Sequence, residues 1–466
     1  MAVDSRNRQR AVAELRRLLP ADRVITGGPG YAAGTALWNG AVSSRPAILL
    51  RCTSTAEVRA GVRTAREFGL PLSVRSGGHD WAGRALSDDG LTLDLTPMRS
   101  VHIDAGARRA TVAGGARANH VLAAADRYGL VAATGTIGTV GMAGLTLGGG
   151  YGPLGGRFGL AADNLTGAEV VLADGSVVWT DAEREPDLFW ALRGGGGNFG
   201  VVTSMEIRLH AVPTVVTGMV LYSLRQAPKV FARLEDVLSD SPDALTVQTG
   251  VINGPQGKPM AMLWPTWSGE PAVGTDTSGP VRRLTRLGTA PVAEFETGSF
   301  ATAIAARDTM FPDGRYVSIR TRSVPRHTLE VVDALMEGAK SMTSPLSAFF
   351  LHHFHGAAAR VPWSETAFAL RKPHLMAEVI AVWTQEKDSG RHAAWADAAS
   401  AALEPHAFAG GYANLLGPEA TDQIPYVYGG NTSRLLAIKE SVDPDGVFQG
   451  IPLPKAAPHA LSPHAT

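Results

Sequence analysis

The chain has 466 residues, with 43 Lys+Arg against 43 Asp+Glu, so its formal charge is +0 and no basic stripe is available for a nucleic acid or an anionic membrane surface. A single cysteine, Cys52, excludes a disulfide framework and a cysteine-held metal cluster. No stretch approaches the roughly 18 continuous apolar residues of a membrane span, and the length exceeds one ordinary core, so the expectation is two lobes, soluble and cytoplasmic, acting on a small partner.

Residues 8–19 carry Val12, Leu15, Leu18 and Leu19 at helical spacing. After a glycine-marked break at Gly27 to Gly30 comes a first β/α stretch: strand Ala47–Leu50, helix Ser54–Phe68 and strand Leu72–Val74, with Ser54 and Glu57 placed as a capping box. The turn SVRSGGHDWAG then sets His79 behind a Gly-Gly pair. Leu91–Val112 reads as β structure, Ala116–Tyr128 as a helix, and Glu169–Leu172 with Ser176–Trp179 as a hairpin turned at Ala173-Asp174-Gly175. Near His210 the texture changes. Longer strands follow at Val215–Tyr222, Leu245–Thr249, Met260–Trp264, Leu346–His355 and Met376–Trp383, interrupted by helices, with an exposed loop at Ser268–Pro280. A helix at Ser433–Glu440 ends the ordered pattern, and no internal repeat is present. The fold class is α+β.

Between Gly135 and Gly159 stand eleven glycines in 25 residues. Each glycine in a regular element costs about 0.5–1 kcal/mol, so this density implies backbone laid against something flat and bulky. It is not a P-loop, because the nearest string, GPQGKP, has proline after the lysine. It is not a Rossmann fingerprint either: Gly135, Gly138, Gly141 and Gly144 recur every three residues, and no amphipathic helix is expected to follow. In LHHFHG, period two puts His353 and His355 on one strand face; no carboxylate pattern accompanies them, so they read as pocket lining or plain surface and no metal is expected.

Four ordered blocks carry a resemblance: SVRSGGHDWAG, the tract ending LTLGGGYGPLGGRFGLAADNL, DLFWALRGGGGNFGVVT, and YGGN..RL..IK...DPDGVF. They resemble flavoproteins of the vanillyl-alcohol-oxidase/PCMH superfamily, in the berberine-bridge-enzyme-like branch that includes the 6-hydroxynicotine oxidase type. The likeness is strong over about residues 40–212 and 410–450; between them RVPWSETAFALR carries it. It implies a PCMH-type FAD-binding domain of two α/β subdomains over 1–212, a substrate-binding domain with a large antiparallel sheet covered by helices over 213–410, and a segment, 411–466, that returns to the first domain.

The resemblance also assigns residues. Arg75, Ser76, Gly77 and Gly78 wrap the FAD pyrophosphate with backbone N–H groups, and His79 is the covalent 8α-histidyl anchor. The second, cysteinyl anchor of many relatives falls on Ile137, so one link only is expected. Val140 matches a position that gates O2. The cradle includes Gly83, Gly135, Thr136, Gly138, Thr139, Gly141, Gly144, Gly148 and Gly149, and Gly194 to Gly197, Asn198, Gly200 and Val202 match contacts to the adenosine and pyrophosphate. Tyr151 and Tyr428 border the flavin as candidate proton acceptors, with Tyr426 and Tyr412 behind them, and Asn431 matches a polar residue near the flavin edge. The substrate face is expected from Thr246–Val251, Phe349–His355 and Val379–Gln385, with Tyr412, His353 and His355 as contacts. The implied activity is an oxidase that removes a hydride from a C–H beside a hydroxyl or amine of a polyketide, alkaloid or glycosylated metabolite and passes the electrons to O2. A dehydrogenase using another acceptor, and an oxygenating or cyclising flavoenzyme, remain open alternatives.

Overall fold

A computed structural model describes residues 5–456; residues 1–4 and 457–466, the outer ends of the expected first domain and returning segment, lie outside the described residues. Three sheets organise the chain.

The first is four-stranded, from β1 (Val24–Ile25), β2 (Ile48–Arg51), β3 (Leu72–Arg75) and β4 (Leu91–Asp94), in the order β1-β2-β4-β3. β2, β4 and β3 pair in parallel, as buried apolar strands do when a helix covers them. That helix, Thr55–Phe68, starts where expected. The Ser54 hydroxyl accepts the Glu57 N–H, the Glu57 carboxylate accepts the Thr53 N–H, and Gly69 closes the far end in the left-handed region. Val58, Val62 and Ala65 meet Leu50, Leu91 and Leu93 in one core, each large side chain contributing about 1.5–3 kcal/mol by burial. Cys52 lies in this core at 0% exposure, and burial pushes its thiol well above the usual range.

The second sheet is six-stranded, from β5 (Val101–Asp104), β6 (Arg109–Ala113), β7 (Leu130–Ala132), β8 (Leu165–Val171), β9 (Val177–Thr180) and β10 (Val201–Ala211). Its order is β5-β6-β10-β8-β9, with β7 beside β10. The expected hairpin is β8–β9, turned where Asp174 accepts the Ser176 N–H and Gly175 takes φ 78°.

The third sheet is a seven-stranded antiparallel sheet from β11 (Val215–Ser223), β12 (Leu245–Asn253), β13 (Pro259–Trp267), β14 (Val292–Gly298), β15 (Tyr316–Val324), β16 (Ala348–Phe354) and β17 (His374–Trp383), ordered β14-β11-β13-β12-β16-β17-β15. β14 and β15 escaped the sequence reading. They are the two edge strands: VAEFETG keeps its polar groups toward solvent, and YVSIRTRSV buries Ser318, Thr321 and Ser323 among its apolar residues, so neither reads as an apolar run. The segment expected as an exposed loop contains a short helix, Pro271–Thr275. Helices Ala227–Ser239, Leu329–Lys340 and Ser389–Leu403 cover one face of the sheet. Phe349, Leu351, Ala377 and Val379 point to that covered face, while Phe350 and Ile380 point to the other.

That other face turns toward the first two sheets. Arg371 donates to both carboxylate oxygens of Asp163 (2.7 and 2.9 Å) in a buried pair spanning the halves, and Trp81 Nε1 donates to the Leu415 carbonyl (2.9 Å). The C-terminal helix, Thr432–Val442, leads the chain back to the second sheet, where the Asn198 amide bonds Gly195 O, Ile451 O and the Gly450 N–H. Among the described residues, no helix is long and apolar enough to cross a membrane.

Candidate functional site

A cavity of about 330 Å³ lies between the glycine tract and the uncovered face of the third sheet. The wall from the first half is mostly backbone. After β3 the chain turns through Gly77 and Gly78, the latter at φ 76°, and delivers His79 to the cavity. Gly77 and Gly141 are packed so closely that a Cβ on the first would stand 2.1 Å from the nitrogen of the second. At Gly144 and Gly197, which also line the cavity, a Cβ would meet nothing within 4 Å. The tract thus presents bare backbone to open space, room that fits a flat, bulky group such as the isoalloxazine of FAD. Gly141 also caps a helix, Met142–Leu147, which at six residues is shorter than a dinucleotide-binding helix.

The His79 imidazole stacks on Trp38 (5.2 Å between centroids, 15° between planes) and its Nε2 pairs with the Thr139 hydroxyl at 2.8 Å. Among the described residues, the Thr139 contact is the ring's hydrogen bond. Burial, reinforced by the nearby Arg117 charge, pushes the ring down to about 3, so it stays neutral at any physiological pH. Arg117 also joins Arg51, Arg99 and His120 around a neighbouring hollow. The resemblance points to backbone amides and not to these basic side chains.

The opposite wall is made of side chains. From β16 and β17, His352 and Glu378 point into the cavity, with His352 Nε2 2.9 Å from Glu378 Oε2 and 3.4 Å from the Tyr151 hydroxyl. Tyr412 stands edge-on to Tyr151 (5.0 Å, 78°), and its oxygen accepts the Gly150 N–H at 2.9 Å. Burial raises both phenols, Tyr412 to about 12, and the Glu378 charge adds to the shift at Tyr151. Both therefore remain O–H donors and not phenolates. Gln248, Trp264, Arg307, Phe350 and Ile380 complete this wall.

Of the expected cofactor residues, Ser76, Gly77, Gly78, His79, Gly135, Thr136, Val140, Gly141, Gly144 and Tyr151 line the cavity, as does Ile137. Others support it from behind. The Arg75 guanidinium donates to the Gly34 and Ala36 carbonyls (2.6 and 3.0 Å). Gly83 packs on Val42, and the Gly138 N–H donates to Asp308 (2.6 Å). Gly148 and Gly149 abut Asn414, Phe368 and Tyr412; Gly200 abuts β8, and Val202 lies in the second sheet's core.

Three of the expected site residues fall elsewhere. Tyr428 is 1% exposed in the core of the second sheet, with its hydroxyl unpartnered, and does not line the cavity. Nor do Tyr426 or Asn431, whose amide donates to the carbonyls of Trp363, Thr366 and Ala367. The histidine assignment is also corrected. His353 stacks on His355 (3.9 Å) and reaches only a narrow side hollow, and His355 turns to Thr246 (3.1 Å), while His352, on the opposite strand parity, faces the cavity. Period two alone could not choose the face; Phe349 and Leu351, which belong to the helix-covered core, settle it.

The comparisons with known proteins agree with this geometry. Residues 46–181 match a family model described as FAD binding domain, and 411–451 one described as berberine and berberine like. The FAD-linked oxidoreductase aurO of Gibberella zeae is 30% identical over 94% of this chain and 87% of its own length. The (R)-6-hydroxynicotine oxidase of Paenarthrobacter nicotinovorans is 40% identical over 46% of this chain and 47% of its own. The crystal structure of 6-hydroxy-D-nicotine oxidase from Arthrobacter nicotinovorans superposes with a TM-score of 0.83 at 29% identity, covering 91% of this chain and 96% of that one. Fold and cavity define an FAD-linked oxidoreductase. Within that class, the chain belongs to the berberine-bridge-enzyme-like family.

Proposed function

We propose that this enzyme is an oxidase that holds FAD through one bond to His79, oxidises a C–H beside a hydroxyl or amine of a small metabolite, and passes the electrons to O2. When bound, FAD supplies the acceptor for a hydride leaving the substrate carbon. The chain's own residues do the rest.

We assign His79 the tautomer whose Nε2–H donates to the Thr139 hydroxyl; burial keeps the ring unprotonated, so in that tautomer Nδ1 carries the lone pair for attachment. A second attachment has no thiol to use: Ile137 stands in the cavity wall, and Cys52 is sealed in the first sheet. Val140 keeps a small side chain in the same wall, which supports O2 as the acceptor.

The observation that carries the reading is the carboxylate–imidazole pair in the wall facing the glycine cradle. Glu378, through or beside His352, accepts the hydroxyl or amine proton as the hydride leaves, while Tyr151 and Tyr412 donate hydrogen bonds that orient the substrate. This assigns acceptance of the proton to Glu378 and His352 in place of the tyrosines. In Glu378→Gln, anaerobic reduction of the flavin by substrate should slow by about 10²–10⁴-fold, the usual worth of a positioned base. A fall smaller than about twofold in stopped-flow traces would remove Glu378 from the mechanism.

A further inference from the structure

Helix Phe300–Asp308 ends with Arg307 inside the protein, 3% exposed, at the junction of the main cavity and the side hollow. Its guanidinium lies 4.1 Å over the Trp264 ring, which fixes its plane. Of five N–H donors, one reaches a protein acceptor, the Thr266 hydroxyl at 3.3 Å, and Nε is buried with no partner. Among the described residues no carboxylate lies within ion-pair distance of it. The adjacent Asp308 turns away to accept the Gly138 N–H, and Glu378 is held by His352. Burial pushes Arg307 down to about 9, which still leaves it charged at neutral pH.

A buried cation without a counter-charge is costly, because proteins pair such groups or leave them in water. An arginine kept in this state at a cavity wall calls for an anion that arrives from outside, and its fork suits a planar oxyanion bound by two parallel hydrogen bonds. We propose that Arg307 binds an anionic oxygen group of the substrate, a carboxylate or an ionised phenol or enol, so that the enzyme selects acidic aromatic or polycyclic molecules. Gln248 and Thr136, which line both spaces with Arg307, offer neutral hydrogen bonds to the same group, and Trp264, Phe350 and Tyr151 offer ring surface for its aromatic body. The assignment rests on the cavity being the substrate site; it deepens the proposed function by naming the substrate's charge.

The test is a binding titration on the flavin-loaded enzyme, read from the shift of the flavin absorbance, which needs no turnover. 2-Naphthoate should bind about 10- to 100-fold more tightly than 2-naphthamide, the difference expected of a hydrogen-bonded charge pair. 2-Naphthol, titrated below and above its ionisation, separates carboxylate from phenolate recognition. Arg307→Gln should abolish the preference while amide affinity stays within about twofold, and Arg307→Lys should keep part of it. Equal affinity of the wild-type enzyme for acid and amide overturns the proposal, whether or not the variants fold. So does a flavin spectrum changed in Arg307→Gln before any ligand is added, which would give the arginine to the cofactor. Glu378→Gln should keep the anion preference while losing flavin reduction, so failure of the anion site and failure of the base assignment give different results.

Discussion

The two walls of the cavity are built on opposite principles. The cradle is built from short glycine-rich stretches with few side chains: Gly77 and Gly141 touch through backbone, and Gly144 and Gly197 leave their Cβ positions empty. The facing wall is side chain throughout, with Gln248, Trp264, Arg307, His352, Glu378 and Tyr412 gathered from positions more than 160 residues apart. A wall made of backbone must suit one shape and advertises it as composition. A wall made of side chains can be rewritten one residue at a time on an unchanged sheet, which is how one fold comes to accommodate different substrates.

The sharpest way to break this contrast is at the one side chain of the cradle that does chemistry. His79→Ala should leave no flavin on the acid-precipitated protein, whereas wild type should precipitate yellow; a yellow, acid-stable variant would place the link elsewhere. A smaller effect is expected where the cradle meets oxygen. Val140→Leu adds one methylene, worth about 1–3 kcal/mol in a confined contact, and should slow reoxidation in air about tenfold or more while anaerobic reduction is unchanged. Equal slowing of both half-reactions would argue for general damage.

Acid probes the buried histidines of both halves of the chain. Burial holds His79 at about 3 and His210, His355 and His374 at about 4, against an ordinary imidazole near 6.5. The unfolded chain therefore binds more protons than the folded one between those values, and stability is full above about pH 6.5 and lost as the pH falls toward about 4. Urea midpoints that stay flat across that window would contradict neutral, buried rings. The smallest effect is expected at Tyr428→Phe, which removes an unpartnered buried hydroxyl; stability should hold or rise, and flavin reduction should stay within about twofold.

The same contrast explains what could be read in advance. The glycine tract, the turn before His79 and the hairpin at Asp174-Gly175 are local, and each leaves its mark in consecutive residues. The facing wall depends on which side of a strand a residue takes and on partners brought together by the sheet. Glu378 sits in LMAEVIAVW, an apolar run in which one carboxylate reads as an exception. Arg307 occupies the last turn of its helix, where arginine ordinarily complements the helix dipole at the surface. Tyr428 lies beside a recognisable motif and is nonetheless core, because the returning segment docks through Val427 and Leu435 and carries the phenol inward.

Cys52 has a practical consequence. Being the sole thiol of the chain and sealed at 0% exposure, it is silent to alkylating reagents while the parallel sheet is closed. The rate at which a maleimide consumes it under native conditions is therefore a clock for the opening of that one subdomain. A cysteine introduced at any exposed position would be labelled first and alone, so dyes or spin probes can be attached without deleting anything.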